Sequence, residues 1–175
     1  MYYLYEGLGI IRRFMEAGGD VLWLIAIVTF LMWTLVFERI WYFRFGLRQD
    51  ADRVIHQWES RKERKSWNAR QIRRQLVSQM TEQIRRNLPM IKTLVALCPL
   101  LGLLGTVTGM IEVFNIMAVT GGGDAKSMAG GVSKATIPTM AGMVAALSGV
   151  FANTYVTRIA DRESVLLEDH LTTDH

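Results

Sequence analysis

Hydrophobic positions along this chain gather into three long blocks rather than into alternating or narrowly striped patterns. The first runs from Val21 to Phe37 and carries no charge until Glu38. The second runs from Thr93 to Val119 and the third from Ala135 to Thr157. Each is close to the roughly 20 residues that a helix needs to cross a bilayer core. Between the first two blocks the texture changes. Residues 46–92 are rich in Arg, Gln, Glu and Lys, with Val54, Ile55, Trp58, Ile72, Leu76, Val77, Met80 and Ile84 at helical intervals. That pattern predicts an amphipathic helical hairpin outside the membrane, broken near Ser66, Trp67 and Asn68. The expectation is an all-α membrane protein with three transmembrane helices and cytoplasmic helical extensions. Its segments are 1–20 (N-terminal, periplasmic or interfacial), 21–45, 46–92, 93–119, a short periplasmic loop 120–134, 135–157 and a cytoplasmic tail 158–175.

Charge sets the orientation. The net charge is +4, but most of the Lys and Arg lie between Arg39 and Lys92. Short basic loops stay on the cytoplasmic side, so the hairpin is predicted to be cytoplasmic and the N-terminus periplasmic. Arg158 and Arg162 beyond the third block agree. Trp41, Tyr42 and Phe43 read as an interfacial aromatic belt. The basic run reads as a solvated face near anionic lipid, not as a nucleic-acid site, because it is tethered between two spans. Glu38 and Arg39 follow the first block without a small-residue cleavage pattern, so that block is expected to remain as a span. The location expected is the bacterial inner membrane.

Enzyme chemistry finds little footing. Cys98 is the sole cysteine, and His56, His170 and His175 lack ligand spacing, so no metal or cofactor is expected. No nucleophile–base pair is visible. Gly121-Gly122-Gly123 lacks the Gly-Lys-Ser/Thr ending of a phosphate loop and reads as a flexible turn.

The small and polar residues inside the second and third blocks go beyond what insertion needs. Gly102, Gly105 and Gly109 recur at spacings of three and four, as do Ala135, Pro138, Gly142, Ala145, Gly149 and Ala152. Such stripes let helix backbones approach closely in lipid. Two stripes in a chain of three spans point to packing between copies as well as within one. Pro138 is cheap if it lies in the first turn of its helix, and frees a carbonyl if the helix starts earlier, near Met128. Thr106, Thr108, Thr136 and Thr139 place hydroxyls at membrane depth, where each can also bond back to its own helix. Glu112 and Lys134 fall at the same level of two antiparallel spans, so they either pair or face water separately.

These residues carry a family likeness. The run from Leu100 to Gly109, LLGLLGTVTG, and the run from Val132 to Ala146, VSKATIPTMAGMVAA, resemble the second and third spans of the ExbB/TolQ/MotA proton-channel family. The absence of a fourth span makes ExbB and TolQ better matches than the flagellar MotA. The resemblance implies a homo-oligomer, a pentameric bundle around a central pore lined by the second and third spans. It implies an ExbD-type single-span partner whose membrane aspartate takes up and releases the proton. By the motif match, Thr106 and Thr139 face that aspartate. A TonB-type transducer would carry the energy to the outer membrane; TolQ-like service in the Tol-Pal envelope system and a passive helical scaffold are the alternatives. No span carries an acidic residue at its centre, so a proton relay here needs a carboxylate from elsewhere. The sequence departs from the family pattern at Lys134, where a glutamate is common, and at Glu112, where an uncharged polar residue is common. The two changes have opposite sign, as a relocated ion pair would.

Overall fold

The computed structural model describes residues 2–60, 66–120 and 125–170. The glycine turn 121–124 and the last residues of the tail lie outside the described residues. Those described form helices α1 (Tyr2–Trp41), α2 (Leu47–Glu59), α3 (Trp67–Arg85), α4 (Leu88–Thr120) and α5 (Ala125–His170), with a π-helical turn at Tyr42–Gly46. Three helices are long and apolar enough to cross a membrane. Within their most apolar stretches only 22%, 22% and 33% of the residues are buried in the chain itself. Side chains such as Phe30, Trp41, Leu103, Met140, Val144 and Phe151 stand more than half exposed. Such a surface is intolerable in water and ordinary against lipid or a neighbouring helix. The protein is therefore a multi-pass helical membrane protein.

The chain divides into two compact units. The first holds Met1–Met32 and Thr93–Val150. Here α1 breaks at Gly19, whose φ of 64° is left-handed and strained for any residue with a Cβ. Helices α4 and α5 run antiparallel at very close range. A Cβ on Gly142 would lie 2.5 Å from the Cys98 carbonyl oxygen, and one on Gly102 would lie 3.0 Å from the Thr139 Cα. A Cβ on Gly109 would lie 2.7 Å from that of Ala135, and one on Gly105 would overlap the Pro138 ring. Gly149 meets Met32 of α1 and Val95 of α4. As the contacts advance along α4 from Cys98 to Gly109 they retreat along α5 from Gly142 to Ala135. Leu22, Ile25, Cys98, Ala145 and Ala146 form the buried centre.

Helix α5 begins earlier than its apolar block. Residues 125–134, expected as loop, are helical from Ala125. Gly131 lies against Val113, where a Cβ would come within 2.5 Å of a valine methyl. Continued close approach to α4 thus supports a helical stretch whose own hydrophobicity is low. Pro138 consequently sits deep inside α5. It has no N–H to offer the Lys134 carbonyl four residues earlier, and Gly105 opposite makes room for its ring.

The second unit, Trp33–Lys92 with Phe151–His175, is held differently. Its core contains Trp58, Met80, Ile84, Ile91 and Val156, all nearly inaccessible. Arg39 is buried among them at 3% exposure. Its guanidinium donates to the Gln83 carbonyl at 2.9 Å, near the C-terminus of α3, and lies 5.2 Å from the Tyr42 ring centre. The Glu38 carboxylate is 3.2 Å from Arg39 Nε, at an angle that makes an ion pair without a hydrogen bond. Glu38 also accepts from Asn87, which holds the α3–α4 turn with a φ of 65°, a conformation asparagine tolerates. In an unbroken α-helix Leu47 would sit about 80° round the axis from Arg39. The π turn between them uses an extra residue and takes back about that rotation, so both side chains are buried on one face. Helix α3 starts at Trp67, capped by the Ser66 hydroxyl, which accepts from the Ala69 N–H at 3.2 Å. The basic residues of this unit are partly engaged by its own chain: Arg85 with Asp161 at 3.0 Å, and Arg73 with the Glu168 carbonyl at 3.0 Å.

Candidate functional site

The polar groups at membrane depth are placed by the α4–α5 contact. Thr106 donates to the Leu103 carbonyl at 2.7 Å, Thr108 to those of Leu104 and Gly105, each at 3.1 Å, and Thr136 to that of Ser133 at 2.8 Å. These three satisfy themselves within their own helices, the alternative open to any helical threonine. Thr139 does not. Its hydroxyl crosses to α4 and donates to the Gly102 carbonyl at 2.9 Å. Glycine at 102 is what permits this, since it brings the two backbones together at that level. Thr106 and Thr139, 33 positions apart in sequence, therefore anchor on consecutive carbonyls of one α4 turn. Both remain partly accessible.

Farther along the same contact a cleft of about 570 Å³ opens between α1, α4 and α5 within the first unit. Glu112 of α4 and Lys134 of α5 both line it. Among the described residues no salt bridge joins them in the single chain. Asp20 also lines the cleft, brought there by the break at Gly19. In the sequence Asp20 is only one charge directly ahead of the first apolar block. A signal for its place exists in the Gly18-Gly19 pair ahead of it, which interrupts α1. The five glycines singled out for packing, Gly102, Gly105, Gly109, Gly142 and Gly149, all lie at contacts inside the chain. Among the described residues no group of His, Cys, Asp and Glu is arranged to hold a metal ion.

Residues 42–169 match the model of the MotA/TolQ/ExbB proton channel family. The chain belongs to this family. Its similarity to individual ExbB proteins is modest but consistent. It is 47% identical over 68 residues to biopolymer transport protein ExbB-like 1 of Synechocystis sp., a match covering 37% of this chain and 27% of that protein. It is 35% identical over 78 residues to biopolymer transport protein ExbB of Helicobacter pylori, covering 45% of this chain and 54% of that one. With biopolymer transport protein exbB1 of Vibrio cholerae the identity is 33% over 96 residues, covering 54% and 42% of the two chains. The matched stretch thus spans between about a quarter and about a half of these relatives. No solved structure matches the chain. The description of that family as proton channels gives the polar groups of α4 and α5 a context that packing alone does not supply.

Proposed function

We propose that this protein is the inner-membrane subunit of a proton-motive-force-driven motor of the ExbB–ExbD type, which energises TonB-dependent transport across the outer membrane. The subunit assembles with copies of itself, as a pentamer, with its N-terminus periplasmic and its C-terminus cytoplasmic. Helices α4 and α5 line the central pore. An ExbD-type single-span partner places its membrane aspartate there, and a TonB-type protein passes on the work. The basic hairpin of α2 and α3 rests near anionic lipid.

The observation that carries this reading is the threonine pair on one α4 turn. A proton relay in a membrane needs a titratable group, and neither α4 nor α5 carries an acidic residue in the turn that holds Thr106 or in the one that holds Thr139. The chain offers instead two hydroxyls held in fixed positions on adjacent carbonyls, with apolar faces of both helices left uncovered. This arrangement suits a partner helix that brings its own carboxylate. Glu112 and Lys134, in the same cleft, pair once neighbours surround it.

Co-expression with candidate single-span, aspartate-bearing proteins tests the assembly, with the mass of the purified complex as the readout. Several copies of this chain around fewer partner helices are expected. A chain that stays monomeric and captures no such partner removes the pore. For the charge pair, transport by Glu112→Ala, Lys134→Ala and the double variant should be non-additive; independent losses argue against pairing.

A further inference from the structure

The cleft between α1, α4 and α5 lies at a defined depth. A bilayer core about 30 Å thick is crossed by roughly 20 helical residues. The count starts from the basic residues that flank the apolar blocks on the hairpin side. Glu112 comes 20 residues after Lys92 on α4, Asp20 comes 19 before Arg39 on α1, and Lys134 comes 24 before Arg158 on α5. All three are exposed and line the cleft, so it opens at the far boundary of the core, the level of lipid headgroups. Among the described residues no ion pair joins them. The volume, about 570 Å³, is in the range of small-molecule sites. Gly105, Gly109, Gly130 and Gly131 on its walls bring no side chains into it. Pro138, also on the wall, gives no N–H to the Lys134 carbonyl, which keeps its capacity to accept.

We infer that this cleft binds the zwitterionic headgroup of an aminophospholipid, its ammonium held by Asp20, Glu112 and the Lys134 carbonyl, its phosphodiester by the Lys134 ammonium. The inference rests on the crossing of the membrane alone, not on the motor reading. A primary ammonium has three N–H donors and no acceptor. The cleft offers it two carboxylates and one carbonyl. A phosphodiester only accepts, and Lys134, the cation among the described lining residues, meets it with a charge-assisted bond. Two carboxylates against one ammonium leave an excess negative charge. An anionic headgroup such as phosphoglycerol faces that charge with its own and gains only the lysine. A choline headgroup keeps its positive charge, but its methylated nitrogen has no N–H to donate. The chemistry therefore selects a primary amine over both. With the headgroup in place, Glu112 and Lys134 are linked through it, one at each end.

Native mass spectrometry of the full chain, purified in detergent and stripped of lipid, tests the selection. Phosphatidylethanolamine, phosphatidylglycerol and phosphatidylcholine with identical acyl chains are added in turn, and the affinity of each is read from the retained complex. The wild-type protein should hold phosphatidylethanolamine about tenfold more tightly than the other two. Asp20→Asn and Glu112→Gln keep side-chain shape and remove the two negative charges. The double variant should reverse the preference toward phosphatidylglycerol, because Lys134 then meets phosphate with no carboxylate opposing it. Lys134→Gln should weaken phosphatidylethanolamine by about tenfold. Equal retention of the three lipids by the wild-type protein overturns the inference, and that result needs no variant to fold. A double variant that keeps the wild-type preference overturns it as well. If soluble phosphoethanolamine binds as tightly as the lipid, the ligand is a free zwitterion and the lipid assignment falls.

Discussion

The two units of this chain are held together by opposite kinds of contact. In the first, the decisive atoms are the ones missing. Glycines at 102, 105 and 142 let backbone meet backbone or proline, and those at 109 and 149 admit Ala135, Met32 and Val95, with no room for a methyl group. In the second, large side chains fill the interior, and a buried arginine ties a helix terminus, an aromatic ring and a carboxylate together. The difference follows from the solvent expected around each. Between helices in lipid there is no hydrophobic driving force, so close packing and hydrogen bonds must supply association. A unit wetted by water gains from burying Trp58, Met80 and Ile84 in the ordinary way. It can also carry charges near its surface at little cost.

The comparison can be broken most directly at Gly142. A valine there drives its Cβ into the Cys98 carbonyl, a backbone atom unable to move aside. We expect a loss of about 3 kcal/mol, measured as thermal unfolding of the purified protein in detergent; wild-type stability would mean that the α4–α5 register is wrong. In the second unit the corresponding test is Arg39→Leu. It keeps an apolar volume but removes the donor to Gln83 and the partner of Glu38. A loss of about 2 kcal/mol is expected. Arg39→Lys should recover only part, since an ammonium lacks the planar fork; full recovery would reduce Arg39 to a point charge. Smaller still is Gly130→Ala. Nothing lies within 4 Å of a Cβ at that position, so alanine should stabilise α5 by about 0.5–1 kcal/mol through its better helix propensity. A destabilised variant would show that some surface covers Gly130 in the assembly. The least effect belongs to Arg85→Ala. That pair with Asp161 is more than half exposed on both sides. Its loss should cost under about 0.5 kcal/mol and vanish at high salt.

Much of the architecture was readable from the chain alone, for identifiable reasons. Long uncharged blocks have few options in water, so three spanning helices followed from Val21–Phe37, Thr93–Val119 and Ala135–Thr157. The break expected near Ser66, Trp67 and Asn68 falls at the start of α3, where the Ser66 hydroxyl accepts from the Ala69 N–H. The glycine and alanine spacings suggested contact faces on α4 and α5. What they could not give was the partner of each face. Nor could they say that α5 begins at Ala125, since that stretch, with Ser127, Gly130, Gly131 and Ser133, has no strong helical signal of its own. Within it, Gly131 lies against Val113 of α4.

The threonines divide in the same way. Sequence placed four hydroxyls at membrane depth and offered each the same two fates, bonding back or facing a partner. Local geometry settles three of them, because a carbonyl three or four residues earlier is always in reach. Thr139 turned on something no local rule contains, the backbone of a helix 37 residues away brought within 2.9 Å by a glycine. The sequence by itself therefore determined what had to be buried in lipid, where helices could touch and which side chains carried polarity. Only the tertiary structure decided which carbonyl each hydroxyl found and which charges share a cleft. Those outcomes depend on the register between helices, and register is set by the sum of many close contacts rather than by any one segment.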